Sequence, residues 1–179
     1  MNLQLFEAIN GLAGRNQWLD NLMVFCSEYL IYVIGLIFAV CLGYLLYKKQ
    51  WRTAVWLLST LVISFVILKV VGSFIIENRP FIDHRVMQLV PHDIDNSFPS
   101  DHATAALAMA VGLSLFTRWR ALAAGVIVLA LLVGLSRVFV GVHYPGDVLA
   151  GWLIAIAGGL IAYFVARFFK GKQADEPTV

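Results

Sequence analysis

The chain has 179 residues, 60% of them hydrophobic and only 13% charged, with a net charge of +2 and a mean hydropathy of +0.81. A soluble domain carries about a quarter charged residues, so this composition excludes a water-covered globule and requires lipid around much of the surface. The small net charge, with no basic run interleaved with aromatics, leaves no footprint for a nucleic-acid partner.

The first fourteen residues hold no Lys or Arg and no continuous apolar core, so they do not read as a cleavable signal peptide. Leu3, Phe6, Ile9 and Ala13 recur at helical spacing among Asn2, Gln4, Glu7 and Asn10, which predicts a short amphipathic helix in the membrane interface. Five apolar segments follow, near 22–46, 54–76, 102–117, 121–140 and 147–168. Each is a candidate to cross a hydrocarbon core of about 30 Å, the third being short. The fold class is therefore all-α: a polytopic membrane helical bundle of about five transmembrane helices plus the N-terminal interfacial helix. Residues 1–170 make a single membrane-embedded domain, and 171–179 read as a polar cytoplasmic tail. Cys26 and Cys41 lie inside an apolar run and read as small hydrophobes rather than a disulfide. Gly151, Ala155 and Gly159 recur every four residues in the last span, a pattern for close helix packing.

Orientation follows from the basic residues. Lys48, Lys49 and Arg52 lie between the first two spans, Arg118 and Arg120 between the third and fourth, and Arg167, Lys170 and Lys172 after the fifth. Alternation of spans puts all of them on one side, which the positive-inside rule makes cytoplasmic. His84, His92, His102 and His143 fall on the opposite side, with nearly all the carboxylates.

Three clusters lie at that outer face. Arg79-Pro80 follows the second span, where Pro80 is expected to end the helix and Arg79 offers a planar fork of donors. An arginine at a helix end also reads as a snorkelling anchor. Phe98-Pro99-Ser100-Asp101-His102 opens the third span, where free N–H groups and the helix dipole favour an anion. Ser100 can add a hydroxyl and His102 a proton; alternatively Ser100 or Asp101 only caps the helix. The third cluster is Ser136-Arg137, then Gly141, His143 and Asp147. A carboxylate four residues after His143 can accept from Nδ1–H and leave Nε2 free as nucleophile or base. It can equally just stabilise the start of the last helix. Taken together, ionisable groups at several helix ends on one membrane face point to function. Two arginines, a hydroxyl and a helix N-terminus suit a tetrahedral anion, and the two histidines suit phosphoryl transfer without a metal. His84, His92, Asp83, Asp93 and Asp95 match no metal-ligand spacing and read as a polar loop over the pocket. No cofactor is called for.

These residues resemble the type 2 phosphatidic acid phosphatase family, whose blocks read Lys-x6-Arg-Pro, Pro-Ser-Gly-His and Ser-Arg-x5-His-x3-Asp. Pro99-Ser100-Asp101-His102 matches the second except at Asp101, and Ser136-Arg137 through His143 to Asp147 matches the third with full spacing. In the first block Arg79-Pro80 remain but Gly72 stands where Lys is expected, with Lys69 one turn deeper. The Asp101 variant, the loop from Pro91-His92 to Phe98 and the opening Leu5 to Leu12 look like the bacitracin-resistance branch of undecaprenyl-diphosphatases. That resemblance implies a bacterial plasma-membrane hydrolase of undecaprenyl diphosphate, working at the extracytoplasmic face in the peptidoglycan cycle. It implies His143 as the nucleophile of a phosphohistidine intermediate, His102 as proton donor and Asp147 as the carboxylate that orients the ring. Arg79, Ser100, Arg137 and Ser136 would hold phosphate, with Asp101 beside them and Lys69 as a further candidate. Asp101 is expected to pair with Arg79 or Arg137 or to raise the pKa of His102, and Lys69 to be satisfied by Glu77 or a carbonyl if it takes no part. A phosphatase for phosphatidate or phosphatidylglycerophosphate is the alternative within the class. A lipid-phosphate binder or transporter is the alternative outside it.

Overall fold

The computed structural model describes the backbone of residues 2–174 and side chains as far as Phe169; residues 175–179 of the expected tail lie outside the described residues. The elements are α1 (Asn2–Asn10), α2 (Gln17–Glu28), α3 (Leu30–Tyr47), α4 (Trp51–Phe74), α5 (Pro80–Asp83), α6 (Asp101–Phe116), α7 (Arg120–Phe139) and α8 (Pro145–Ala174). By length and composition α3, α4, α7 and the Pro145–Phe169 stretch of α8 are able to cross a membrane, whereas α6 is apolar but shorter. The chain is a multi-pass membrane protein.

α6 forms the centre of the bundle, packed by α4, α7 and α8. Its short side chains make this possible: Ala103, Ala106, Ala108 and Ala110 are fully buried. The thin helix therefore admits its neighbours closely. Gly151 of α8 presses on the start of α6, where an added Cβ would come within 2.7 Å of Thr104 Oγ1. The outward faces of α4 and α8 stay apolar, with Val62, Val66, Val70, Leu153 and Leu160 exposed to lipid. Cys26 and Cys41 are both buried and unpaired.

The first predicted span is divided. α2 starts at an Asn16 cap, whose Oδ1 accepts from the amides of Trp18 and Leu19 at 2.9 and 3.3 Å, and the helix stops at Glu28. The break at Tyr29 has a polar cause: Ser27, fully buried, gives both its carbonyl and its hydroxyl oxygen to Arg137. An apolar count sees the run continue; it does not register this cross-chain demand.

Pro80 likewise does something other than expected. α4 ends at Phe74, an extended stretch follows, and Pro80 occupies the first turn of α5, where its missing N–H costs nothing. α1 forms as expected, but its apolar side faces protein. Phe6 is buried and meets Tyr144 edge-on with centroids 5.5 Å apart. Asn10 donates to the carbonyls of Met87 and Phe139, both at 2.8 Å. α1 thus ties the long loop between α5 and α6 to the end of α7.

Candidate active site

His143 lies in the turn between α7 and α8. The turn closes because the Arg137 carbonyl accepts from the amides of Val142 and His143 at 3.2 and 3.3 Å. Gly141 makes it possible, with φ of +87° and Met87 O only 2.8 Å from where a Cβ would be. Pro145 then opens α8 and sets Asp147 in its first turn.

The imidazole, fully enclosed but for 3% of its surface, is held at both nitrogens. Nδ1 is 3.3 Å from Asp147 Oδ2, and Nε2 is 3.2 Å from Arg79 NH1. A guanidinium can only donate, so Nε2 must present its lone pair and the ring proton must sit on Nδ1, toward the carboxylate. Burial pushes His143 well below the usual histidine range, and the charges of Arg137 and Arg79 push the same way. The ring is neutral at neutral pH, the form a nucleophile needs.

Each partner is itself fixed. Asp147 Oδ2 also accepts from Ser97 Oγ at 2.5 Å and from the Tyr144 amide at 2.8 Å, while its carbonyl accepts from the Ser100 amide at 3.1 Å. Arg79, 4% exposed, donates Nε to Asp95 at 2.6 Å and NH1 to the Val142 carbonyl at 2.9 Å. Burial alone would raise the Asp95 carboxyl, but the hydrogen bond and charge of Arg79 outweigh it and hold it below its ordinary value.

A cavity of about 440 Å³ opens beside this ring, lined by Lys69, Arg79, His92, Asp101, His102 and His143, with an apolar side at Leu68, Gly72 and Phe98. A second, of about 480 Å³, is lined by Glu28, Tyr32, His92, Asp93, His102 and Arg137. His92 and His102 belong to both, so the two chambers meet at these rings. Arg137 is 1% exposed. Its NH1 is taken by Ser27 and by Glu28 Oε1 at 2.9 and 3.1 Å, while Nε and NH2 are buried with no partner. Buried guanidinium donors are seldom left unmet, and two on one fork match an anion's oxygens.

The expected site residues sort as follows. Arg79, His102, His143 and Asp147 converge, and Arg137 reaches the adjoining chamber. Ser100 is buried and caps α6, its Oγ accepting from the Ala103 amide. Ser136 is buried within α7, donating to the Val133 carbonyl at 2.7 Å, and lines neither chamber. Lys69 and Asp101 pair with each other at 3.2 Å on half-exposed side chains. That replaces the expected partners of both: Glu77 or a carbonyl for Lys69, and Arg79 or Arg137 for Asp101. Gly72 has a packing reason, since a Cβ there would meet Phe98 O and Pro99 Cδ, each at 3.3 Å.

Of the expected polar loop, His92 and Asp95 do line the first cavity, but Ser97, Ser27, Glu28 and Asn96 escaped sequence reasoning. They carry no periodic or motif signal, because each acts on a partner far along the chain. Asn96 alone donates to the carbonyls of Gly72, Ile75 and Phe98, sewing the end of α4 to the approach to α6. Among the described residues no three His, Cys, Asp or Glu side chains converge as metal ligands.

The PAP2 superfamily matches over residues 53–170. The chain is 40% identical over 180 aligned residues to the undecaprenyl-diphosphatase BcrC of Bacillus subtilis (strain 168), covering 100% of this chain and 88% of that one. It is 32% identical over 175 residues to the bacitracin transport permease protein BcrC of Bacillus licheniformis, covering 93% and 81%. Among solved structures it is similar to Aquifex aeolicus LpxE, with a TM-score of 0.73, 29% identity and coverage of 90% of this chain and 93% of the other.

Proposed function

The chain belongs to the PAP2 superfamily, and from that membership we propose that it is an integral membrane undecaprenyl-diphosphatase. It releases orthophosphate from the spent lipid carrier of peptidoglycan synthesis at the extracytoplasmic face and thereby confers bacitracin resistance. The observation that carries the reading is the neutral His143 ring, held between Asp147 and Arg79 at the wall of a chamber sized for a phosphate head group. The relative of known name over the full chain supports the substrate.

The terminal phosphate enters the first chamber as far as its junction with the second, within reach of Arg137, and takes over the Arg79 NH1 hydrogen bond that covers Nε2 in the free enzyme. Arg79 and the unpaired Nε and NH2 of Arg137 neutralise charge on the equatorial oxygens, where such charge is greatest. The N-terminus of α6 adds its dipole. The anionic head group draws a proton from water onto His102 as it binds. Nε2 of His143 then attacks phosphorus, the bond to the bridging oxygen breaks, and His102 gives that oxygen this proton. The Nδ1 proton stays between His143 and Asp147, whose negative charge stabilises the cationic phosphohistidine. His102, now unprotonated, draws a proton from the water that frees orthophosphate. Lys69 lines the same chamber from α4, half-exposed beside Leu68 and Gly72, where it meets the second phosphate. The isoprenoid stays in the bilayer along the exposed face of α4, since exposing each CH₂ to water costs about 0.8 kcal/mol.

Phosphate release from purified protein tests the reading, comparing undecaprenyl diphosphate with phosphatidate and phosphatidylglycerophosphate, in EDTA, for wild type and His143→Ala. Preferred turnover of the diphosphate, lost in the variant, is expected. Preference for another lipid would move the substrate within the class. A carrier, as the permease name of one relative suggests, would keep lipid movement in His143→Ala. The core beneath the chambers argues against it, because Ala106, Ala110, Leu113 and Ala130 fill it and are fully buried.

A further inference from the structure

Two chambers meet at His102, and they differ in kind. The first has an apolar side at Leu68, Gly72 and Phe98 and suits a lipid diphosphate. The second has a guanidinium, Arg137, at its base and two carboxylates, Glu28 and Asp93, in its wall. A buried arginine with two unmet donors holds a small dianion strongly. A product-releasing enzyme needs that grip weakened once the lipid has gone. Glu28 is placed to do so: its Oε1 lies 3.1 Å from Arg137 NH1, and its side chain is 40% exposed. It comes from α2, outside the residues matched by the superfamily.

We propose that the second chamber is the exit for orthophosphate, and that Glu28 competes with the product for the charge of Arg137. The inference rests on the phosphatase reading. Glu28 leaves Nε and NH2 free for the phosphoryl group in transit while offsetting part of the guanidinium charge, and Asp93 repels the anion outward. The chamber takes orthophosphate rather than lipid because its wall is mainly polar and charged.

The test uses the full chain in detergent and inorganic phosphate as probe. Glu28→Gln keeps an oxygen to accept from Arg137 but removes the charge. Its inhibition constant for inorganic phosphate should fall at least about threefold, the scale of a half-exposed ion pair. Steady-state turnover should slow while the first turnover keeps its rate. Asp93→Asn, on an exposed loop, should act in the same direction by less, and serves if Glu28→Gln does not fold. A purely structural Glu28 would instead leave phosphate inhibition unchanged or weaker, and that result in both variants overturns the proposal. Titration of inorganic phosphate into each protein reads the same difference without turnover. A wild type that releases no phosphate would thus sink the phosphatase reading, while the titration still decides the role of Glu28.

Discussion

Nε2 of His143 lies 3.2 Å from the guanidinium of Arg79, and that contact decides where the ring proton resides. The donor at Nε2 and the carboxylate at Nδ1 select the same tautomer, so Nε2 already presents its lone pair in the free protein. Burial and the two arginines hold the ring below its ordinary pKa.

The pH dependence follows with a definite sign. A free histidine titrates near 6.5, and folded His143 titrates lower. The acid limb of kcat/KM should therefore lie below about pH 6.5, and Arg79→Gln should move it upward. In the window between the two pKa values the unfolded chain binds more protons, so stability falls as pH drops below about 6.5. His92, also lowered by burial and the arginines, adds to the same loss. Melting temperature against pH checks this; a protein stabilised by acidification from pH 7 to 5 contradicts it.

Ser97→Ala removes the 2.5 Å hydrogen bond to Asp147 without touching the chambers. A bond to a buried charged group is worth about 1.5–3 kcal/mol, so kcat should drop about tenfold or more with little change in KM. A variant with wild-type kcat would show that Asp147 needs no support from the loop.

Lys69 and Asp101 form an ion pair on half-exposed side chains, so it contributes roughly 0–1 kcal/mol to stability. Lys69→Ala should leave the melting temperature within error and raise KM for the lipid diphosphate severalfold. Equal KM for wild type and variant would remove Lys69 from the site.

Gly141→Ala places a Cβ against the Met87 carbonyl at a φ of +87°. The strain should cost on the order of 1–2 kcal/mol, seen as a lower melting temperature, and shift His143 enough to reduce kcat. An unchanged melting temperature would mean that the turn can be rebuilt.

Spans and motif residues were legible in the sequence because hydropathy and fixed spacing are local. His143 and Asp147 are four apart on one turn and one helix, and their contact is written in that spacing. The break at Tyr29 was not legible, since it answers to Arg137 more than a hundred residues away. Gly72 and Lys69 show the same limit from the other side. The missing lysine of the first block was visible, but not that Phe98 and Pro99 occupy its space, or that Lys69 finds Asp101. Pro80 does not end α4, because Asn96, sixteen residues further on, takes the Gly72 and Ile75 carbonyls and the helix stops there.

The most direct measurement is chemical trapping of the intermediate. His102→Ala, mixed with undecaprenyl diphosphate and quenched in alkali, should carry a phosphoryl group on His143, identified by peptide mass spectrometry and lost on acidification. Absence of any adduct while phosphate is still released, or an adduct on another side chain, would contradict the account.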